Sequence, residues 1–148
     1  MRLYADSSFL VSCYLRDANT AQAKTYLSGR NVSLIVTALH ELEFCNALQL
    51  GVFRDVLTPD EARAATVDIN ADLRAGRLVK TAVKWPAVFR IASRLSEQHA
   101  ALTGTRSLDI LHVAAAKALR SHEFASFDNR QCALATATGL SNALWNEG

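Results

Sequence analysis

Residues 3–10 read Leu-Tyr-Ala-Asp-Ser-Ser-Phe-Leu, a short apolar run that is followed by an acidic residue. Three further short apolar runs occur at residues 33–36, 78–83 and 124–127, and longer segments with helical patterns separate them. Apolar strands that alternate with helices are typical of a parallel sheet covered on both faces and built from right-handed βαβ units. The sequence therefore predicts an α/β fold.

The segments between these runs carry helix start and stop signals. Thr58-Pro59-Asp60-Glu61 has the pattern of a capping box with proline at the first helical position, and it predicts a helix that ends before Gly76. The other predicted helices run from Asp17 or Asn19 to Gly29, from Thr37 to Leu50, from Trp85 to Leu102, from Leu108 to Arg120 after a cap at Ser107, and from Asn129 to Thr138. A short final strand near residues 143–145 is an option.

Length and composition predict one domain over residues 1–148. Half of the residues are hydrophobic and 20% are charged, which matches an ordinary globular protein and excludes a disordered or collagen-like chain. No run approaches the ~18 apolar residues that a membrane helix needs, and no basic and apolar leader precedes the first strand. We therefore expect a cytoplasmic protein with no membrane partner.

Neither the cysteines nor the net charge identifies a partner. Cys13, Cys45 and Cys132 are odd in number, far apart and without a C-x-x-C pair, which indicates neither a disulfide framework nor a zinc site. We expect all three to be small buried hydrophobic residues. The net charge of +2 would suit nearly any ligand. If the acids gather at one site, however, the rest of the surface becomes more basic and suits a polyanionic substrate.

Acidic residues follow two of the predicted strands. In an open parallel sheet, ligands bind beyond the carboxyl ends of the strands. Asp6 follows the first predicted strand directly and Asp128 follows the fourth directly, so the topology brings carboxylates from opposite ends of the chain to one edge. Asp109 lies in the first turn of a predicted helix, where the helix dipole favours an ionised carboxylate.

The helix predicted after the second strand carries two acids, Glu41 and Glu43. Residues 37–48 are apolar on nearly every side, so this helix should be well buried and a carboxylate in it needs a partner. Helical spacing alone does not choose between the two glutamates.

Four short motifs contain these acids, in this order along the chain. They are residues 3–10 (LYADSSFL), 43–48 (EFCNAL), 107–116 (SLDILHVAAA) and 124–131 (FASFDNRQ), the last followed by Gly139-Leu140. Together they span most of the chain.

These motifs resemble those of the PIN domain, and in particular those of the VapC-type toxins of bacterial toxin–antitoxin pairs. The first resembles the apolar-x-x-Asp-[Ser/Thr]-[Ser/Asn]-x-[Leu/Ile] opening of the family, and the second resembles its Glu-x-x-Asn-Ala-Leu helix, which selects Glu43 over Glu41. The third resembles the helix that carries the third acid. The fourth resembles the closing Thr-x-Asp segment, with Ser126 in place of the threonine.

The resemblance implies a PIN-like three-layer α/β/α fold around a central, mainly parallel sheet of four or five strands. It implies a metal-dependent endoribonuclease, for which we expect Mg²⁺, with Mn²⁺ as a substitute. It does not identify the RNA, and tRNA and rRNA are candidates. It also implies a homodimer and a VapB-type antitoxin that blocks the acidic site.

Asp6, Asp109 and Asp128 are then the expected metal ligands, and Glu43 is expected to bind a second ion or to orient the attacking water. Hard divalent ions such as Mg²⁺ prefer oxygen ligands, which carboxylates supply. A bound divalent ion can activate water and neutralise the scissile phosphate. The number of ions stays open.

Five other residues are candidates for supporting roles. Arg106 and Arg130 are the best placed by sequence to contact substrate phosphates. Ser7 and Ser126 are candidates for contacts to water or to metal ligands, and His112, one turn after the third acid, for positioning or packing.

Two of the four acids also have a simpler interpretation. Asp6 alone would usually be a helix cap, and Asp109 alone a favourable first-turn charge. The joint occurrence of four acids favours a metal site over these roles. Two other functions compete with the ribonuclease: a catalytically silent PIN module that binds RNA or protein, and cleavage of DNA instead of RNA. A receiver domain is disfavoured, because serines instead of a second acid follow Asp6 and the nearest base after Asp128 is an arginine.

Overall fold

The computed structural model describes residues 1–142 and residue 144. Its elements are β1 (Arg2–Ala5), α1 (Ser7–Tyr14), α2 (Thr20–Leu27), β2 (Ser33–Val36), α3 (Ala38–Phe53), α4 (Pro59–Arg74), β3 (Leu78–Lys80), α5 (Trp85–Leu95), α6 (Ala101–Thr103), α7 (Ser107–Ala118), β4 (Phe124–Ala125) and α8 (Asn129–Ala137). A π-helical turn, Ser96–Ala100, joins α5 to α6. The predicted α/β class with parallel strands is confirmed: β1 pairs with β4 and β2 pairs with β3, both in parallel.

The chain divides into two units by its internal packing. The first comprises Met1 and Ser7–Thr81, and the second comprises Arg2–Asp6 and the chain from Ala82 onward. One domain over residues 1–148 stays a prediction.

The first unit is built around the parallel pair β2–β3 and the helices α1 to α4. Thr37 caps α3 by accepting a hydrogen bond from the His40 backbone N–H, and Thr58 caps α4 through the Glu61 N–H, so both predicted caps are confirmed. Gly76, with φ of 76°, ends α4 in a left-handed conformation that glycine adopts without strain.

The second unit is built around the parallel pair β1–β4, in which Tyr4 is opposite Phe124. The rings of these two residues stack at 5.8 Å, and both are fully buried. Helix α7 packs against α5 and α8, and its Val113–Ala116 segment is completely buried. A buried strand pair and a buried helix therefore hold the part of the chain that carries Asp6, Asp109 and Asp128.

Several predicted element boundaries are wrong. β3 ends at Lys80 and β4 at Ala125, which makes both strands shorter than the apolar runs that contain them. Helix α3 continues through Gly51, where a Cβ would lie 2.7 Å from Leu57 Cδ1, so this glycine allows close packing instead of ending the helix. Ser107 is the first residue of α7 and not its cap, because Arg106 occupies the cap position.

The final strand considered near residues 143–145 lies outside the described residues except for Leu144, which is in a turn. Within the described part of the chain, no helix is long and apolar enough to span a membrane.

The predicted burial of α3 is also wrong. Only one stripe of this helix is buried, formed by His40, Phe44 and Leu48 at four-residue spacing. Leu42 is 67% exposed and Phe53 is 83% exposed. Of the three cysteines, Cys132 is buried as expected, whereas Cys13 is half-buried and Cys45, on α3, is exposed.

Candidate acidic site

Asp6 lies directly after β1, as predicted. Its backbone N–H donates to the Ala125 carbonyl at 2.8 Å and so extends the pairing of β1 with β4 by one step. The residue is 6% exposed. A carboxylate that is this far removed from water needs polar partners, and the structure supplies them from α7 and α8.

Asp109 and Asp128 lie at the beginnings of two helices. Asp109 is in the first turn of α7, as predicted. Asp128 does not follow β4 directly, because that strand ends at Ala125; instead, it is the N-cap of α8, and its Oδ1 accepts a hydrogen bond from the Gln131 backbone N–H at 2.9 Å. Asp128 is therefore a helix cap, in addition to any chemical role, and the sequence analysis did not predict this.

One pocket of about 420 Å³ brings two of the acids together with the two candidate arginines. Its lining consists of Arg106, Asp109, Asp128, Asn129 and Arg130. The pocket therefore combines two carboxylates with two guanidinium groups. Carboxylates suit a hard cation, and guanidinium groups suit a phosphate.

The pocket arginines belong to segments that are tied together. Thr105 Oγ1 donates to the Arg130 carbonyl at 3.1 Å, which joins the α6–α7 loop to the start of α8. Gly104, with φ of 67°, lies under the Arg130 side chain, and a Cβ there would be 3.7 Å from Arg130 Cδ. These contacts position Arg106, which follows in the loop, and Arg130 at the same pocket.

Gln131 was missed by the sequence analysis and connects all three aspartates. Its Nε2 donates to Asp6 Oδ1 at 3.3 Å and to the Asp109 carbonyl at 3.1 Å, and its backbone N–H donates to Asp128. Ser126 Oγ donates to its Oε1 at 2.7 Å. It is the last residue of the fourth motif and lies three residues after the cap of α8, but the sequence analysis assigned it no role.

His112 lies beside Asp6 in the interior of the second unit. Its Nδ1 is 2.8 Å from the Tyr4 hydroxyl, and its Nε2 is 3.9 Å from Asp6 Oδ1. The imidazole is fully buried. His112 therefore packs in the interior and hydrogen-bonds Tyr4, and its role in positioning Asp109 stays a prediction.

In the first unit, the two glutamates of α3 have different partners. Ser7 Oγ donates to Glu43 Oε1 at 3.1 Å, and Glu43 is half-buried. Glu41 is exposed and forms an ion pair with Lys80 at 2.5 Å. Glu43 is thus bound by the residue that directly follows Asp6 in the chain, whereas Glu41 belongs to a surface ion pair.

The fold has solved relatives. FitAcB from Neisseria gonorrhoeae matches with a TM-score of 0.60 at 16% identity, covering 95% of each chain. VapC20 from Mycobacterium tuberculosis, a toxin that cleaves the sarcin–ricin loop, matches with a TM-score of 0.57 at 16% identity over 94% of this chain and 96% of that one. The chain has a VapC-type PIN fold. No family model and no curated protein matches the sequence.

In this fold, three aspartates that are far apart in sequence belong to the same unit. Asp6 follows β1, Asp109 lies in the first turn of α7, and Asp128 caps α8. No group of three or more His, Cys, Asp or Glu side chains among the described residues is arranged to hold a metal ion. Mg²⁺, however, is usually bound by only one or two carboxylates and keeps several waters. Asp109 and Asp128, which line one open pocket, fit that requirement.

The nearest thiol does not compete for such an ion. Burial raises the pKa of the Cys132 thiol to about 11. The thiol donates to the Ser126 carbonyl at 3.4 Å and does not line the acidic pocket. The two carboxylates that do line it offer oxygen donors, which suit Mg²⁺ or Mn²⁺.

Substitution of Asp128 should separate capping from chemistry. Asp128→Ala removes the acceptor for the Gln131 N–H and should lower the free energy of unfolding by about 1 kcal/mol, whereas Asp128→Asn keeps the cap and should change it by only a few tenths. Urea denaturation of the two variants measures this difference. Equal losses in both variants would show that the charge, and not the cap, stabilises α8.

Proposed function

We propose that this protein is a Mg²⁺-dependent endoribonuclease of the VapC toxin type, with Asp6, Glu43, Asp109 and Asp128 as its catalytic residues. The observation that carries the proposal is the pocket in which Asp109 and Asp128 lie with Arg106 and Arg130. Metal-binding and phosphate-binding groups share this pocket in a fold that also occurs in an RNA-cleaving toxin.

A phosphodiester backbone suits both the carboxylates and the guanidinium groups of the pocket, and the shared fold with an RNA-cleaving toxin favours RNA over DNA as the substrate. Arg106 and Arg130 would contact phosphate oxygens, which positions the backbone without reading its sequence. The carboxylates opposite them would repel an anion unless a cation is present. Substrate and metal are therefore expected to bind together, as is usual for Mg²⁺ at phosphate sites. tRNA and rRNA are the proposed substrate classes.

When bound, Mg²⁺ supplies an activated water and neutralises charge on the scissile phosphate. Asp109 and Asp128 would hold the ion from the pocket, and Asp6, which follows β1, would be the third carboxylate ligand. Glu43 would hold a second ion or align the attacking water. Ser7 keeps the Glu43 carboxylate in place by its 3.1 Å hydrogen bond.

A VapB-type antitoxin is the proposed protein partner, and it would act by covering the acidic site. We further propose a homodimer and a cytoplasmic location. These proposals rest on the VapC-type fold and on the motif resemblance.

Cleavage of total RNA with different ions tests the proposal. Mg²⁺ or Mn²⁺ should restore activity to chelated protein, whereas Ca²⁺ should bind but support little turnover, because its larger and looser shell misplaces the attacking water. Gel analysis of the RNA products is the measurement. Equal cleavage in excess chelator would overturn the metal mechanism, and absence of cleavage with every ion would favour the silent module.

A further inference from the structure

We propose that Gln131 is the positioning residue of the acidic site and that it sets the placement of Asp6, Asp109 and Asp128 relative to one another. This inference rests on the proposed function, because it assigns a role in holding metal ligands. Gln131 carries no charge and is not itself proposed to touch metal or substrate.

The contacts of Gln131 reach the three aspartates of the second unit, Asp6, Asp109 and Asp128. Its side-chain amide bonds the Asp6 carboxylate at 3.3 Å and the Asp109 carbonyl at 3.1 Å, and its backbone N–H bonds the Asp128 carboxylate at 2.9 Å. The partners lie 125, 22 and 3 residues away in sequence. One side chain therefore links the end of β1 to the first turn of α7 from the first turn of α8.

The orientation of the amide follows from its partners. The Asp109 carbonyl can only accept a hydrogen bond, so the amide nitrogen must face it, and the same nitrogen faces the Asp6 carboxylate. The amide oxygen then faces Ser126, whose hydroxyl must donate. Both N–H groups and the oxygen of Gln131 are thus used in one fixed arrangement.

Ser126 also explains why Gln131 points toward the acids. A glutamine three residues after a helix cap can complete a capping box by accepting from the cap backbone N–H. Here that N–H, on Asp128, donates to Ser126 Oγ at 3.0 Å instead. The serine thus takes over the capping role and holds the glutamine oxygen at the same time, which leaves the glutamine nitrogen for Asp6 and Asp109.

Burial makes this arrangement rigid. Gln131 and Ser126 are 0% and 1% exposed, so water cannot replace a lost hydrogen bond easily. Residues that hydrogen-bond to metal ligands without touching the metal typically lower the metal affinity by about 10- to 100-fold when they are removed. We expect an effect of this size from Gln131.

Mn²⁺ binding to the full-length protein without RNA tests the inference by a readout that is independent of activity. Gln131→Met keeps the length and apolar stem of the side chain but removes both N–H donors. Its Mn²⁺ dissociation constant, measured by electron paramagnetic resonance, should rise about 10- to 100-fold. Leu134→Val is the matched control, because Leu134 is a fully buried residue of the same helix. It should lower the melting temperature while leaving Mn²⁺ affinity within twofold.

If Gln131→Met does not fold, two variants of Ser126 test the positioning role of Gln131 instead. Ser126→Ala removes the hydroxyl that orients the amide and should weaken Mn²⁺ binding at least threefold, whereas Ser126→Thr keeps that hydroxyl and should bind as the wild type does. Wild-type affinity in a folded Gln131→Met or in Ser126→Ala would overturn the positioning role alone. Failure of the wild-type protein to bind Mn²⁺ would instead overturn the metal centre of the proposed function, and this inference with it.

Discussion

Asp6→Asn should lower the rate of RNA cleavage by about 10³-fold or more, because it removes a charge from the proposed metal site and several kcal/mol of transition-state stabilisation with it. The asparagine keeps an oxygen that can accept the hydrogen bond from Gln131 Nε2, so this hydrogen bond is retained in the variant. The fold should remain intact. Without metal, the melting temperature should be unchanged or higher, since repulsion among the carboxylates is relieved.

Asp68→Asn is the control for this experiment, because Asp68 is an exposed acid on α4. It changes the net charge of the protein by the same amount as Asp6→Asn does. As a surface substitution, it should leave the cleavage rate within about twofold of the wild-type rate. Cleavage rates and thermal melts of the three proteins are compared under identical ionic conditions. Near wild-type cleavage by Asp6→Asn, or its failure to fold, would contradict the assignment of Asp6 as a metal ligand.

The fold class was predictable because its signal is local. Short apolar runs between helical segments indicate parallel strands, and the strand before Asp6 occurs where the sequence predicts it. Strand ends were less accurate, since the predicted runs extend to Val83 and Phe127 whereas the strands end at Lys80 and Ala125. The predicted burial of α3 was wrong for another reason. Hydrophobic residues show which helix faces are apolar, but they do not show whether another element covers each face.

The positions of the acids were predictable to different extents. Asp109 lies in the first turn of its helix because local helix signals place that turn. Asp128 was expected directly after a strand but caps α8, since β4 stops three residues earlier. The error does not remove it from the pocket, because a cap residue at the start of a helix faces the same loop region as the end of the preceding strand.

Gln131 could not be found from sequence. A glutamine three residues after an acidic cap has a simple local interpretation, the capping box. Its actual side-chain partners, Asp6 and the Asp109 carbonyl, are far away in the chain, and neither periodicity nor the fourth motif, which contains Gln131, predicts these hydrogen bonds. Contacts of this kind depend on tertiary structure, and they are the part of a site that local patterns do not contain.

The comparison of Glu43 with Glu41 tests the remaining acid. Helical spacing left the two glutamates equivalent, and only the motif resemblance selected Glu43. In the structure Glu43 accepts a hydrogen bond from Ser7, whereas Glu41 pairs with Lys80 at the surface. Glutamine at either position keeps the shape of the side chain and an oxygen that can accept. The two substitutions therefore differ in which negative charge they remove.

Glu43→Gln should lower the cleavage rate by about 10²-fold or more, roughly the scale on which a positioned catalytic group acts. Glu41→Gln should change it by less than about threefold, because an exposed ion pair contributes only about 0–1 kcal/mol and its loss affects stability or partner binding instead. Single-turnover cleavage of RNA measures the difference directly. A growth assay provides the same comparison in cells: without antitoxin, induced wild-type protein and Glu41→Gln should arrest growth, and Glu43→Gln should not. Reversal of the two outcomes would place the catalytic face of α3 on the side of Glu41, about 200° around the helix axis.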